Sequence, residues 1–135
     1  MKKIFVVGSL NMDLVIRVAK MPRAGETVTG GDFMTNSGGK GANQAVAVSK
    51  LGGKAYMVGC VGREFGAELI GALDGYGVNT KYVRRLDDVS SGIAVITVEN
   101  GDNRIILDRA ANGRIDCALI DEALSEADEG DYLML

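Results

Sequence analysis

A chain of 135 residues with 47% apolar and 24% charged side chains has the length and composition of one folded domain, which at this size buries roughly 68% of its unfolded surface. Its net charge of −3, with Lys and Arg scattered along the chain, leaves no basic footprint and excludes nucleic acid as the expected partner. The chain has no histidine and only two cysteines, Cys60 and Cys117. That removes the common zinc patterns and any histidine base, and both thiols are expected to be buried and reduced.

Lys2-Lys3 ahead of Ile4-Phe5-Val6-Val7 imitates a signal peptide, but Gly8-Ser9, Asn11 and Asp13 break the apolar run at once. No apolar span of about 18 residues follows, so a soluble cytoplasmic protein without a membrane partner is expected. Ile4 to Val7 is uninterrupted and β-branched, the mark of a strand covered on both faces in a parallel sheet. Leu14 to Val18 alternates, and Glu26 to Asn36 reads as two more short strands separated by Gly30-Gly31. From Gly41 the pattern turns helical, with Ala42, Ala45, Val46 and Ser49 on one face and a stop at Gly52-Gly53.

Ala55 to Val58 is a second buried strand, followed by a helix on Phe65, Leu69 and Leu73 that ends at Gly77. Gly92 to Glu99 alternates, Asn100-Gly101 is a hairpin turn signal, and Arg104 to Leu107 returns. This hairpin is expected to join the earlier half-exposed strands in a small separate sheet. Asp116 caps a helix carrying Ala118, Leu119, Ala123 and Leu124, and Tyr132 to Leu135 opens a further buried strand. Ending on an apolar strand, the sequence reads as the N-terminal part of a larger α/β protein.

The glycine-dense loop at Ser37 to Gly41 precedes a helix, a common cradle for phosphate. A nucleotide P-loop fails here, because Met34 stands where its first glycine belongs and Gly41 follows Lys40. The dinucleotide fingerprint fails at Gln44. Asn11 and Asp13 fall at the carboxyl edge of the first strand, and Gly38, Gly39, Lys40 and Asn43 approach from the same edge. A carboxylate accepts from adjacent hydroxyls, amides donate and accept, and bare backbone admits a ring. That combination suits a polyol better than a phosphate, which Asp13 would repel. Spacing alone allows equally that Asn11 and Asp13 form an Asx turn and that the glycines serve packing.

Gly8-Ser9-Leu10-Asn11-Met12-Asp13, Pro22 to Thr29 (PRAGETVT), Gly38 to Ala47 (GGKGANQAVA) and Gly59-Cys60-Val61-Gly62 resemble, in this order, the ribokinase-like family of carbohydrate kinases. The likeness runs across essentially all 135 residues. It implies an α/β fold with a parallel Rossmann-like sheet flanked by helices, plus a small β-sheet lid built from about 13–36 and 92–108. By the same resemblance Asn11 and Asp13 bind sugar hydroxyls, and Gly39, Lys40, Gly41 and Asn43 form the second sugar-binding segment. Ala94 and Ile106 are candidates to face the sugar from the lid, or to pack within it.

The resemblance further implies transfer of the γ-phosphoryl of ATP, with Mg2+ and a monovalent cation such as K+, to a sugar hydroxyl, foremost O5 of D-ribose. It implies a homodimer through the lid. The catalytic base, the phosphate-binding anion hole, the nucleotide pocket and the cation loop belong to the family's C-terminal half, so these residues are expected to be inert alone. Other readings are a kinase of another sugar or a nucleoside, or a non-catalytic sugar-binding or dimerising module. Ala110-Ala111-Asn112 departs from the family's usual Gly-Ala-Asn. Asp32 and Asp108 are assigned to solvated faces, with no metal site.

Overall fold

Strands that are apolar on every residue need cover on both faces, and residues 4–7 and 55–61 find it in the middle of a parallel sheet. The computed structural model describes residues 1–135. In chain order the elements are β1 (Lys3–Val7), β2 (Asn11–Arg17), β3 (Gly31–Gly38), α1 (Lys40–Lys50), β4 (Lys54–Val61), α2 (Gly66–Gly75) and β5 (Asn79–Arg85). There follow β6 (Gly92–Glu99), β7 (Asp102–Asp108), a 3-10 turn (Ala110–Arg114), α3 (Cys117–Leu124) and β8 (Tyr132–Met134).

The main sheet is parallel throughout, in the order β5-β4-β1-β8. Alternation along each strand divides its side chains between two cores. Val6, Ala55, Met57 and Val61 pack with Ala45 of α1 and Leu69 and Leu73 of α2. Phe5, Tyr56, Val58, Cys60 and Tyr82 pack with Leu119 and Ala123 of α3. Phe5 stacks on Tyr56 with ring centroids 5.2 Å apart. Side chains as fully enclosed as Phe5, Met57 and Val58 contribute about 1.5–3 kcal/mol each.

The second sheet, in the order β3-β2-β6-β7, joins two hairpin-like pairs through a parallel contact between β2 and β6. Asn100 and Gly101 between β6 and β7 have φ of 50° and 83°, the two positive values that a tight type I′ hairpin turn requires. Asp116 caps α3 as expected, its Oδ1 accepting from Leu119 N–H at 2.9 Å.

Five expectations need correction, the first being that β8 is not buried: Tyr132 and Leu133 are 63% and 47% exposed. Residues 26–30 carry no strand, so β3 stands alone where two pieces were expected. β2 starts at Asn11, which places Asn11 and Asp13 within a strand ladder and excludes an Asx turn there. β5 has no counterpart in the sequence reading: only Tyr82 and Val83 of its seven residues are buried, because an edge strand tolerates charge on its outer side. Cys117, in the first turn of α3, is exposed, while Cys60 is buried. No helix is long and apolar enough to cross a membrane.

Candidate functional site

β1 stops at Val7 and β2 begins at Asn11, so the chain crosses from one sheet to the other within one short connection. Asn11 and Asp13, two residues apart on β2, share a face. They pair with Gly92 and Ala94 of β6 on one side and with Gly38 and Asn36 of β3 on the other. β3 then delivers the chain to Gly39, whose φ of 101° turns it into α1. Lys40 and Asn43, three apart in the first turn, stand on one side of that helix.

Two contacts hold α1 against the crossing. Ala42 N–H donates to Ser9 O at 3.0 Å. Gly41 lies backbone to backbone with Gly8, where a Cβ on Gly41 would be 2.7 Å from Gly8 Cα. Gly41 is therefore buried behind the loop and does not line the cleft in front of it, which assigns it to packing.

Between the two sheets lies a cleft of about 580 Å³. Gly8, Ser9, Asn11 and Asp13 form its floor, with Gly39, Lys40 and Asn43 beside them. Ala94, Ile96, Ile105 and Leu107 form an apolar wall, in which Ala94 is paired with Leu107 and Ile96 with Ile105. Ile106 is not among them: it is 75% exposed on the other face of β7, and its neighbours Ile105 and Leu107 take the place expected for it. Ala94 is among the residues lining the cleft.

Burial alone pushes the Asp13 carboxyl above the ordinary carboxylate range, with no hydrogen bond or neighbouring charge offsetting it. Gly38 crowds that carboxylate: a Cβ there would be 2.8 Å from Asp13 Oδ2. Lys40 and Arg109, the cations on the cleft, pair with no carboxylate of the chain. One acceptor-only carboxylate, several amides, a lysine and open backbone face an apolar wall, an arrangement that hydrogen-bonds a polyhydroxyl compound on one side and covers it on the other. Asp13 is the cleft's only carboxylate, and the chain holds no cluster of three His, Cys, Asp or Glu side chains.

Arg109 and Asn112 also line the cleft, and neither was singled out as a site residue from the sequence. They follow β7 in a stretch, Arg109-Ala110-Ala111-Asn112, whose only sequence signal is its partial likeness to the family's Gly-Ala-Asn, with no site role attached. Only the return of the hairpin brings Asn112 to Leu10 and Asn11.

The pfkB family carbohydrate kinase model matches residues 1–135. Ribokinase of Bacillus subtilis is 42% identical over 136 aligned positions, covering 100% of this chain and 46% of that protein. Deoxyribokinase of Salmonella typhi is 38% identical, over 98% of this chain and 44% of its own. The structure of Arabidopsis thaliana ribokinase complexed with ribose and ATP superposes with a TM-score of 0.75 at 39% identity, over 82% of this chain and 37% of that one. The chain thus spans less than half the length of these relatives.

Proposed function

The chain belongs to the pfkB family of carbohydrate kinases, and we propose that its cleft is the sugar site of an ATP-dependent kinase that phosphorylates D-ribose at O5 to ribose 5-phosphate. The observation that carries this reading is the unpartnered carboxylate of Asp13 beside Asn11 on one face of β2, opposite Lys40 and Asn43. Asp13 accepts from sugar hydroxyls, Asn11, Lys40 and Asn43 complete the polar contacts, and Gly39 lines the cleft beside them, its absent Cβ making room for the Ser9 to Asn11 backbone. The second sheet acts as a lid, with Ala94, Ile96, Ile105 and Leu107 over the sugar.

Asp13, the cleft's one carboxylate, is given to the sugar hydroxyls in this reading, and the chain brings no cluster of three metal-ligating side chains together, so no magnesium site is proposed among these residues. ATP, Mg2+, K+ and the general base are assigned to the part of the relatives that this chain does not span. The same proposal includes a homodimer through the outer face of the lid, and a cytoplasmic setting, which suits the free thiols Cys60 and Cys117.

Calorimetry of the full-length protein with D-ribose and 2-deoxy-D-ribose tests the assignment. Saturable binding of ribose that is lost in Asp13→Asn supports it, and equal affinity in that variant refutes it. The likeness to a deoxyribokinase makes 2-deoxyribose the second reading, and preference for it would move the assignment there. A site built to bond a hydroxyl rejects the analogue lacking it by as much as ~10⁴–10⁵-fold. Binding without phosphoryl transfer would mark a non-catalytic sugar-binding module.

A further inference from the structure

Asn112 holds the start of β2 much as a neighbouring strand would. Its Oδ1 accepts from Leu10 N–H at 2.9 Å, and its Nδ2 donates to Leu10 O at 3.1 Å and to Asn11 Oδ1 at 2.8 Å. Leu10 is fully buried, so one side chain from a distant turn satisfies both of its backbone groups.

These bonds allow one assignment of the two amides. A backbone N–H only donates, so the Asn112 atom facing Leu10 N is the oxygen, and the other terminal atom is the NH2. Both hydrogens of that NH2 are then engaged. The Asn11 atom 2.8 Å from it must accept and is the Asn11 oxygen. The Asn11 NH2, on a residue that lines the cleft, keeps two donors with no partner in the protein.

The bridge exists because residue 92 has no side chain. Gly92 is the register partner of Asn11 on β6, and a Cβ there would lie 2.1 Å from Asn112 Nδ2 and 2.2 Å from Asn11 Oδ1.

We propose that Asn112 is a positioning residue: across the gap at Gly92 it locks the Asn11 amide so that Asn11 presents only donors to the cleft, beside the acceptor-only carboxylate of Asp13. A hydroxyl of the bound sugar is then read by both of its capacities, its O–H donating to Asp13 and its oxygen accepting from the Asn11 NH2. This rests on the sugar reading above.

Side-chain amide exchange followed by NMR on the full-length protein tests it without any mutation. In the free protein the Asn112 NH2 protons are expected to exchange at least roughly tenfold more slowly than those of an exposed asparagine, and the Asn11 protons at the exposed rate. Addition of D-ribose should slow Asn11 and leave Asn112 unchanged. Fast exchange of Asn112 in the free protein, or protection of Asn112 only with ribose, overturns the proposal. The expected free-state pattern with no response to ribose at either residue supports the lock and overturns the sugar assignment.

Two variants add an affinity readout. Asn112→Asp removes the donor that fixes Asn11 and turns its oxygen toward the cleft, so ribose binding should weaken at least about tenfold. Asn11→Asp keeps an acceptor for Asn112, so the slow exchange of Asn112 should persist while ribose binding is lost. Ribose affinity in Asn112→Asp equal to that of the native protein overturns the proposal.

Discussion

Gly8 and Gly41 touch main chain to main chain: a Cβ on Gly41 would be 2.7 Å from Gly8 Cα, and one on Gly8 would be 2.9 Å from Gly41 Cα. This contact sets the N-terminus of α1 directly against the exit of β1. Lys40 and Asn43 thereby face the same cleft as Asn11 and Asp13. Glycine at both positions is the condition for bringing the two halves of the candidate site together.

Gly41→Ala is accordingly expected to lower stability by about 1–3 kcal/mol, the range for forcing extra carbon into a close-packed contact. Gly71, exposed within α2 and with nothing near its absent Cβ, is the control. Gly71→Ala should raise stability by about 0.5–1 kcal/mol through helix propensity. Urea midpoints at constant m-value measure both, and a neutral Gly41→Ala would disprove the contact.

Asp13 couples ligand binding to pH. Its carboxyl is raised above 3.8 by burial, so between that value and its raised one the folded state holds the proton more firmly than the unfolded state does. Stability therefore falls as pH rises through that window, and the cost of the buried charge persists at neutral pH. Asp13→Asn is expected to be more stable than the native protein at pH 7 yet to bind ribose at least about tenfold more weakly. Ribose affinity in the native protein should fall as pH is lowered through the same window, because the protonated acid accepts poorly. Urea denaturation and calorimetry across pH 4–7 check the two trends.

Asp131 shows the opposite shift. Its carboxylate accepts from Lys3 N–H at 2.8 Å and from Asp128 N–H at 2.9 Å, and Lys3 Nζ lies 3.5 Å away. These contacts, the backbone N–H of Asp128 first, hold the acid below 3.8, and they pin the segment entering β8 to the start of β1. The stability they provide is present above the ordinary aspartate value and is lost as pH falls through the lowered one. Asp131→Asn should lower the urea midpoint at pH 7 and flatten its decline in acid. An unchanged acid limb would remove Asp131 from the account.

Much of this was legible in the sequence because the relevant signals are local. Apolar runs at residues 4–7 and 55–58, the Asn100-Gly101 turn and the Asp116 cap each act within a few residues. That the two half-apolar strand sets share one sheet followed from their need of a common partner, whereas which strands meet, β2 with β6, carried no sequence signal. β5 was invisible because an edge strand with Lys81, Arg84 and Arg85 among its seven residues has no apolar alternation to detect. Ile106 stood as a candidate by resemblance alone, and the three consecutive apolar residues of β7 conceal which alternate set faces the cleft. Asn112 escaped for a different reason: its partners, Leu10 and Asn11, are defined only by tertiary structure.

Ala110 adopts a φ of 39°, a left-handed conformation that costs a residue with a Cβ about 1–2 kcal/mol. The turn it opens carries Asn112 to Leu10, and Asp108 Oδ1 accepts from the Ala110 N–H at 3.0 Å. Ala110→Gly relieves the strain but adds chain entropy to the unfolded state, so a net gain of about 0.5 kcal/mol is expected. Ribose affinity should not change. Differential scanning calorimetry measures the gain, and a loss of stability would contradict the strained turn.

The two faces of the second sheet have separate jobs under the proposed function, and adjacent residues of β7 distinguish them. Ile105 lines the cleft, whereas Ile106 pairs with Val95 on the opposite face. Ile106, Val95 and Phe33 are 75%, 41% and 65% exposed, more apolar surface than a sheet face turned to water carries without a partner. Ile106→Lys places a charge in the proposed subunit contact and is expected to shift sedimentation velocity from dimer to monomer. Ile105→Lys places the same charge over the sugar and is expected to weaken ribose at least about tenfold while leaving the dimer intact. Because the two positions are neighbours in sequence and equal in side chain, general destabilisation would affect both readouts in both variants. Opposite effects follow only from the alternation of β7, and a native protein that sediments as a monomer would remove the dimer from the proposal while leaving the sugar site to stand on Ile105.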